Sequence, residues 1–280
     1  MSLETRIYQK GEQLKLLSLL KASFGDMYAG RFLARQLAVR DIKGKYRKSL
    51  LGVVWDLLAP LSTALVWILL NNSGTVALDD TGVPYPLFAF SGTLLWAILV
   101  DSINMPLQST KAARGIMSKI NFPKEALVLS GFYKLLFNSM FKIMLLIFFF
   151  FFFQVNPGWN VLWFPLTIMG LIITGVTFGL FITPIGMLYN DVARAVSMGL
   201  RFVMYITPVV YVIPEEGVMK TIMEWNPLTP LILVNRHILL GLDLLYLPYF
   251  ICLVLSMIVL FGLALVLFRI SIPIIVERNS

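Results

Sequence analysis

Apolar runs long enough to cross a bilayer recur along this chain, at residues 51–70, 86–107, 126–153, 161–189, 196–213 and 247–270. A crossing helix needs roughly 20 such residues, so the pattern predicts six spans. A shorter apolar run at 228–242 contains Pro230, Asn235, Arg236 and His237. Its length and polar content predict a re-entrant or interfacial gate helix between spans five and six. Ahead of the first span, Phe24, Tyr28, Phe32, Val39, Ile42 and Tyr46 recur at helical spacing, and Arg31, Arg35, Arg40, Lys43 and Arg47 supply a cationic face. That is the pattern of an amphipathic helix lying in the membrane plane. The reading is an all-α integral membrane protein. Residues 1–50 form an N-terminal cytoplasmic segment with the interfacial helix, 51–270 a six-span transmembrane domain, and 271–280 a cytoplasmic tail. Six consecutive phenylalanines, 148–153, end the third span and predict an aromatic belt facing lipid.

Composition narrows the class without changing that picture. The chain is 58% hydrophobic and 14% charged with mean hydropathy +0.82, which leaves too much apolar surface for a soluble core. A net charge of +8 would suit nucleic acid only if a soluble domain presented a basic face. Topology accounts for it instead: with the span ends at 188–201 and 269–280 counted to the same side, nineteen of the 23 Lys and Arg fall on one side of the six spans and two on the other. Basic residues near spans stay cytoplasmic, so both termini are expected in the cytoplasm. The remaining two, Lys134 and Lys142, lie inside the third span.

Residue chemistry then excludes more than it offers. Gly25 and Gly30 have the glycine spacing of a phosphate loop, but Arg31 and Phe32 stand where Lys and Ser or Thr belong. One histidine, His237, and one cysteine, Cys252, rule out a multi-histidine metal site and a disulfide framework. The carboxylate pairs Asp79-Asp80 and Glu215-Glu216 read as solvated loop charge. No catalytic residue, metal site or cofactor site is expected. What stands out is a cationic collar, Arg40, Lys43, Lys45, Arg47 and Lys48, directly before the first span. Clustered Lys and Arg at a bilayer surface attract phosphate head groups. Within the membrane, Asp101 on the second span and Lys134 on the third fall at similar depths and are expected to pair. Lys142 is deeper, points about 80° away from Lys134, and is expected to face a pore or another polar group.

Strung along the chain are motifs that resemble a known family. Arg40-Asp41-Ile42-Lys43, Tyr46, Ser49 to Trp55 and Pro60-Leu61 resemble the start of the first span in membrane subunits of type 2 ABC exporters of cell-surface polysaccharides. Pro84 to Gly92 with Trp96, Lys119 to Glu125, Asn190-Asp191-Val192, Thr207 to Tyr211 and Asn226 to Pro230 follow in that family's order and spacing, although relatives often carry Arg where this chain has Asn190. The resemblance implies six spans, a surface-lying N-terminal helix and short gate helices. It implies a homodimer in the bacterial cytoplasmic membrane, working with two copies of a separate ABC ATPase that binds ATP and Mg. The implied substrate is a lipid-linked glycan such as O antigen, capsule or teichoic acid. On that reading the collar holds the lipid (pyro)phosphate, and Lys111, Arg114, Lys119, Asn121, Phe122, Pro123, Lys124 and Glu125 receive the ATPase stroke. Trp96 and Tyr205, with the intramembrane Asp101, Lys134 and Lys142, line a channel. Two other readings share parts of the pattern: a type 2 exporter of a small molecule or lipid, and a polyprenyl-phosphate transferase, which requires clustered carboxylates that the sequence does not group.

Overall fold

A computed structural model of the chain describes residues 16–47, 49–74, 81–117, 119–155 and 158–278. All regular structure among them is helical: α1 (Leu16–Ala29), α2 (Arg31–Tyr46), α3 (Val54–Asn72), α4 (Tyr85–Ala112), α5 (Arg114–Met117), α6 (Glu125–Phe153), a 3-10 turn (Trp159–Trp163), α7 (Phe164–Leu188), α8 (Asp191–Tyr205), α9 (Val218–Trp225), α10 (Thr229–Leu240) and α11 (Leu247–Arg278). In hydrocarbon, helices are the economical solution because they satisfy every backbone N–H and C=O internally.

Five of these are long and apolar enough to cross a membrane: α3, α4, α6, the 3-10 turn continued by α7, and α11. The chain is therefore a multi-pass membrane protein. The expected fifth span, 196–213, is not one continuous helix. The 15 residues of α8 end at Tyr205, and 206–217 run without regular structure. Pro208 explains the break, since it biases Thr207 away from helical backbone and has no N–H to donate. At 12 residues α10 is too short to cross, yet all of it but His237 is buried in the bundle.

The core sits where α4 and α7 cross, and Leu94, Leu95, Leu99, Leu171 and Leu180 are fully enclosed there. Small residues let the two backbones meet. A Cβ on Gly175 would stand 2.6 Å from the Ser102 side chain, and one on Gly179 would stand 2.2 Å from the Ile103 carbonyl. Membrane helices use such small-xxx-small seams because lipid supplies no hydrophobic drive to press helices together. By contrast α3 is peripheral, with only Pro60 and Ala64 buried.

The N-terminal amphipathic segment forms two helices rather than one, because the backbone breaks at Gly30. A Cβ there would come within 2.9 Å of the Ala126 side chain, so the close packing on α6 requires glycine. Phe24, Tyr28 and Phe32 are exposed on the outward face, as an interfacial helix demands. Of the phenylalanine run, Phe148, Phe151 and Phe152 face outward. Phe149 turns inward and stacks on Phe90 with ring centroids 4.3 Å apart.

Candidate functional site

Residues Asp41 and Lys45 occupy one face of α2, four positions apart, Asp41 half-buried and Lys45 exposed. Asp41 accepts from Lys134 Nζ of α6 at 2.8 Å and from Arg40 at 2.6 and 2.9 Å. Lys45 Nζ donates to Asp56 of α3 at 2.6 Å; the Tyr46 hydroxyl donates to the same carboxylate oxygen at 2.6 Å and lies 3.2 Å from Asn138 Oδ1. Burial pushes the Asp41 carboxyl up, but hydrogen bonds from Lys134 and Arg40 outweigh it and hold the group below the usual carboxylate value. Burial likewise pushes the Lys45 ammonium down, and Asp56 more than offsets it, leaving Lys45 above the ordinary lysine value. These groups rim a cavity of about 860 Å³ between α2, α4 and α6, lined also by Asp101, Gln108 and Ser109.

The membrane charges pair differently from the sequence expectation. Lys134 is bound to Asp41 rather than to Asp101, and Asp101 is bound by Lys142. Two physical facts account for the correction. Helix α4 continues to Ala112, so Asp101 lies 11 residues from its end and deeper than an end at residue 107 implies. The surface helix α2 also supplies a carboxylate at the depth of Lys134, a source that counting along the spans leaves out.

A second cavity of about 410 Å³ lies between α3, α4 and α8. Trp55, Trp96, Thr93, Lys142, Arg201 and Asp101 line it, and it shares Asp56 and Asp101 with the first. Trp96 is therefore at a cavity wall. Tyr205 is not: it ends α8 with an exposed ring, and its carbonyl accepts from the Tyr211 hydroxyl.

The collar divides. Arg40 and Lys45 are committed to carboxylates, while Lys43 and Arg47 are exposed with no ion-pair partner among the described residues. Lys48 lies outside the described residues.

The turn before α6 also divides. Arg114, Lys119, Ile120 and Asn121 are exposed, Lys111 and Pro123 half-buried. Lys124 lies 4.4 Å above the half-buried Phe122 ring, with burial lowering its ammonium pKa. Glu125 points inward instead. It is 2% exposed, accepts from Ser23 Oγ of α1 at 3.3 Å and pairs with Arg269 of α11, which also holds Asp26 at 2.7 Å.

At the opposite end of the bundle the irregular segment after α8 is held by its carbonyls. Asn226 donates to Ile206 O at 3.0 Å, Arg236 Nη1 to Val209 O at 3.0 Å, and Tyr85 to Val210 O at 2.9 Å. The Arg236 guanidinium is fully buried and lies 3.7 Å above the Phe88 ring, with Nε and Nη2 unpartnered among the described residues. Gly92 makes room for this: a Cβ there would fall 1.8 Å from Val209 O. Sequence reasoning named Arg236 only as a mark against a spanning helix. An arginine inside an apolar run was the signal that could have singled it out. No group of three or more His, Cys, Asp or Glu among the described residues is placed to hold a metal ion.

Known proteins resemble this chain in sequence over about three quarters of its length. An O-antigen export system permease protein, RfbA, of Myxococcus xanthus is 26% identical over 209 residues, covering 74% of this chain and 79% of that protein. A protein of the same name from Klebsiella pneumoniae is 25% identical over 207 residues, 72% of this chain and 78% of the relative. The family model described as ABC-2 type transporter matches residues 33–240, from the interfacial helix through α10, and on that match the chain belongs to the ABC-2 type transporter family.

Proposed function

We propose that this chain is the membrane subunit of an ATP-driven exporter that carries a lipid-linked polysaccharide, of the O-antigen, capsule or teichoic-acid kind, across the bacterial cytoplasmic membrane. The observation that carries the reading is the second cavity. Polar groups of two helices line it, the half-buried Asp56 and Thr63 on α3 and the exposed Ser197 and Arg201 on α8. Polar side chains at membrane depth face water or a partner, not lipid. A second copy of the chain meeting the first along α3 and α8 encloses a wet path walled by Trp55 and Trp96, whose ring faces suit the apolar faces of sugars. The curated relatives are named for O-antigen export, which favours a glycan over a small molecule.

On this reading α8 and the segment up to residue 213 make the fifth of six crossings. Helices α9 and α10 dip in as the gate, and both termini face the cytoplasm. Lys43, Arg47 and Lys48 meet the carrier (pyro)phosphate at the cytoplasmic surface, with Arg40 and Lys45 held behind them by carboxylates. The exposed Lys119, Ile120 and Asn121 meet a separate ABC ATPase, present in two copies, which brings ATP and Mg. Lys111, Arg114, Phe122, Pro123 and Lys124 flank that contact, and Glu125 anchors it. Proteoliposomes containing the chain and its ATPase test the proposal. ATP-dependent movement of a lipid-linked glycan to the far leaflet is expected, with no hydrolysis by the chain alone. Hydrolysis by the chain alone, or transport of small amphiphiles in place of the glycan, refutes it.

A further inference from the structure

One charge in the second cavity is left over when the others are matched. Asp56 is engaged by Lys45 and Tyr46, and Asp101 by Lys142. Arg201 is exposed on the cavity wall and has neither an ion-pair nor a hydrogen-bond partner among the described residues. It is ten residues beyond Asp191 at the start of α8. With α8 as the start of the proposed fifth crossing, that is about 15 Å into the membrane at 1.5 Å per residue, near half the hydrocarbon thickness. An unmatched guanidinium at that depth is tolerated only beside water or an anion. Ser197 precedes it by one helical turn and Met204 follows at similar spacing, so one face of α8 lines the cavity with Arg201 as its sole charge.

We infer that Arg201 makes this cavity an anion-recognition site, which takes a phosphate or carboxylate group of the substrate between the rings of Trp55 and Trp96. The planar guanidinium fork matches the paired oxygens of either anion and binds them through two parallel hydrogen bonds. Lys142, which also lines the cavity, is neutralised by Asp101, so the unmatched positive charge of the site is that of Arg201. The site thus discriminates by charge where the aromatic walls discriminate only by shape. The inference rests on the glycan-path reading and deepens it, naming anionic glycans or carrier phosphates as the preferred cargo.

The test uses the complete complex with its ATPase in lipid nanodiscs, with tryptophan emission as the binding signal. Three probes are compared: a uronate-containing tetrasaccharide, maltotetraose as its neutral match, and a polyprenyl pyrophosphate without sugar. The wild type is expected to bind at least one anionic probe roughly tenfold more tightly than maltotetraose. Arg201→Gln should erase that preference and leave maltotetraose binding unchanged, and Arg201→Lys should keep part of it as a point charge without the fork. Which anionic probe responds identifies the anion: the tetrasaccharide points to acidic sugars, the polyprenyl pyrophosphate to the carrier. If Arg201→Gln keeps the full preference, the inference is overturned. It is also overturned if that substitution weakens only the dimer, which assigns Arg201 to a carboxylate of the second copy. If no probe, neutral or anionic, binds the wild type, the glycan path itself is wrong and the inference falls with it.

Discussion

The two ends of the bundle neutralise their buried cations by different chemistry. At the collar end Lys134 meets Asp41, Lys142 meets Asp101, and Arg269 bridges Asp26 and Glu125, each pair joining separate helices. At the other end Arg236 meets one backbone carbonyl and one aromatic ring. A carboxylate partner makes separation expensive, because it strands charge in a medium of low dielectric. A carbonyl partner makes separation cost one hydrogen bond and a ring contact. Of the four buried side-chain polar atoms without a partner among the described residues, three lie on α10: Arg236 Nε and Nη2, and Asn235 Oδ1. The collar end is built to hold its helices together, and the α10 end is built to let go.

Breaking a carboxylate pair gives the largest effect. Glu125→Ala leaves Arg269 with Asp26 alone and is expected to cost about 3–5 kcal/mol, read as a lowered melting temperature in detergent; a loss under about 1 kcal/mol would show that Asp26 suffices. Next comes Gly92→Ala, which drives a methyl into Val209 O and is expected to cost about 1–3 kcal/mol. A cysteine at Val210, in a Cys252→Ser background, should then react faster with a thiol reagent; unchanged stability and reactivity would unseat the segment from α4. Arg236→Met keeps the bulk and removes the charge, so stability is expected to move by no more than about 1 kcal/mol, again with faster labelling at Val210. A loss comparable to that of Glu125→Ala would place both ends in one class and end the contrast.

The smallest effect is that of pH. Asp41 has a depressed folded pKa, so its contribution is present above its unfolded value and is lost as pH falls through the folded one. Lys45 has a raised folded pKa, so its contribution is present below its unfolded value and is lost as pH rises through the folded one. The seam between α2 and the spans is therefore expected to weaken below about pH 4 and above about pH 10. Hydrogen exchange of α2 as a function of pH reports this, and a flat profile across both limits would show that neither pair holds the helix.

Where the sequence was legible, one local property decided the outcome. Runs of apolar residues located α3, α4, α6, α7 and α11, because length alone separates a crossing helix from a buried one. The 196–213 run was apolar enough for the same reading, but the Thr207-Pro208 step cuts it, and a hydropathy window cannot see a missing N–H. Charge pairing was legible only as a demand for partners. Lys134 and Lys142 had to be satisfied, but their partners depended on the docking of α2 and on the true end of α4, both tertiary facts. Glu125 read as part of an exposed docking turn, since nothing local reveals that Arg269, 144 residues away, lies over it. The role of Gly92 depends on a carbonyl contributed from beyond residue 200.

Four attachments tie the N-terminal helices to α6: Ser23 to Glu125, Gly30 against Ala126, Asp41 to Lys134 and Tyr46 beside Asn138. They are spread over the 14 residues 125–138 of α6, about 20 Å of its length, which is too long a seam to swivel about one point. Mechanically α1, α2 and the first half of α6 form one rigid limb, with the Asn121–Pro123 turn as its free tip. With the ATPase contact proposed above at that tip, a push there is not absorbed at a joint; it carries the surface helix and its exposed Lys43 and Arg47 along with the span, so the proposed stroke and the displacement at the head-group layer are a single motion.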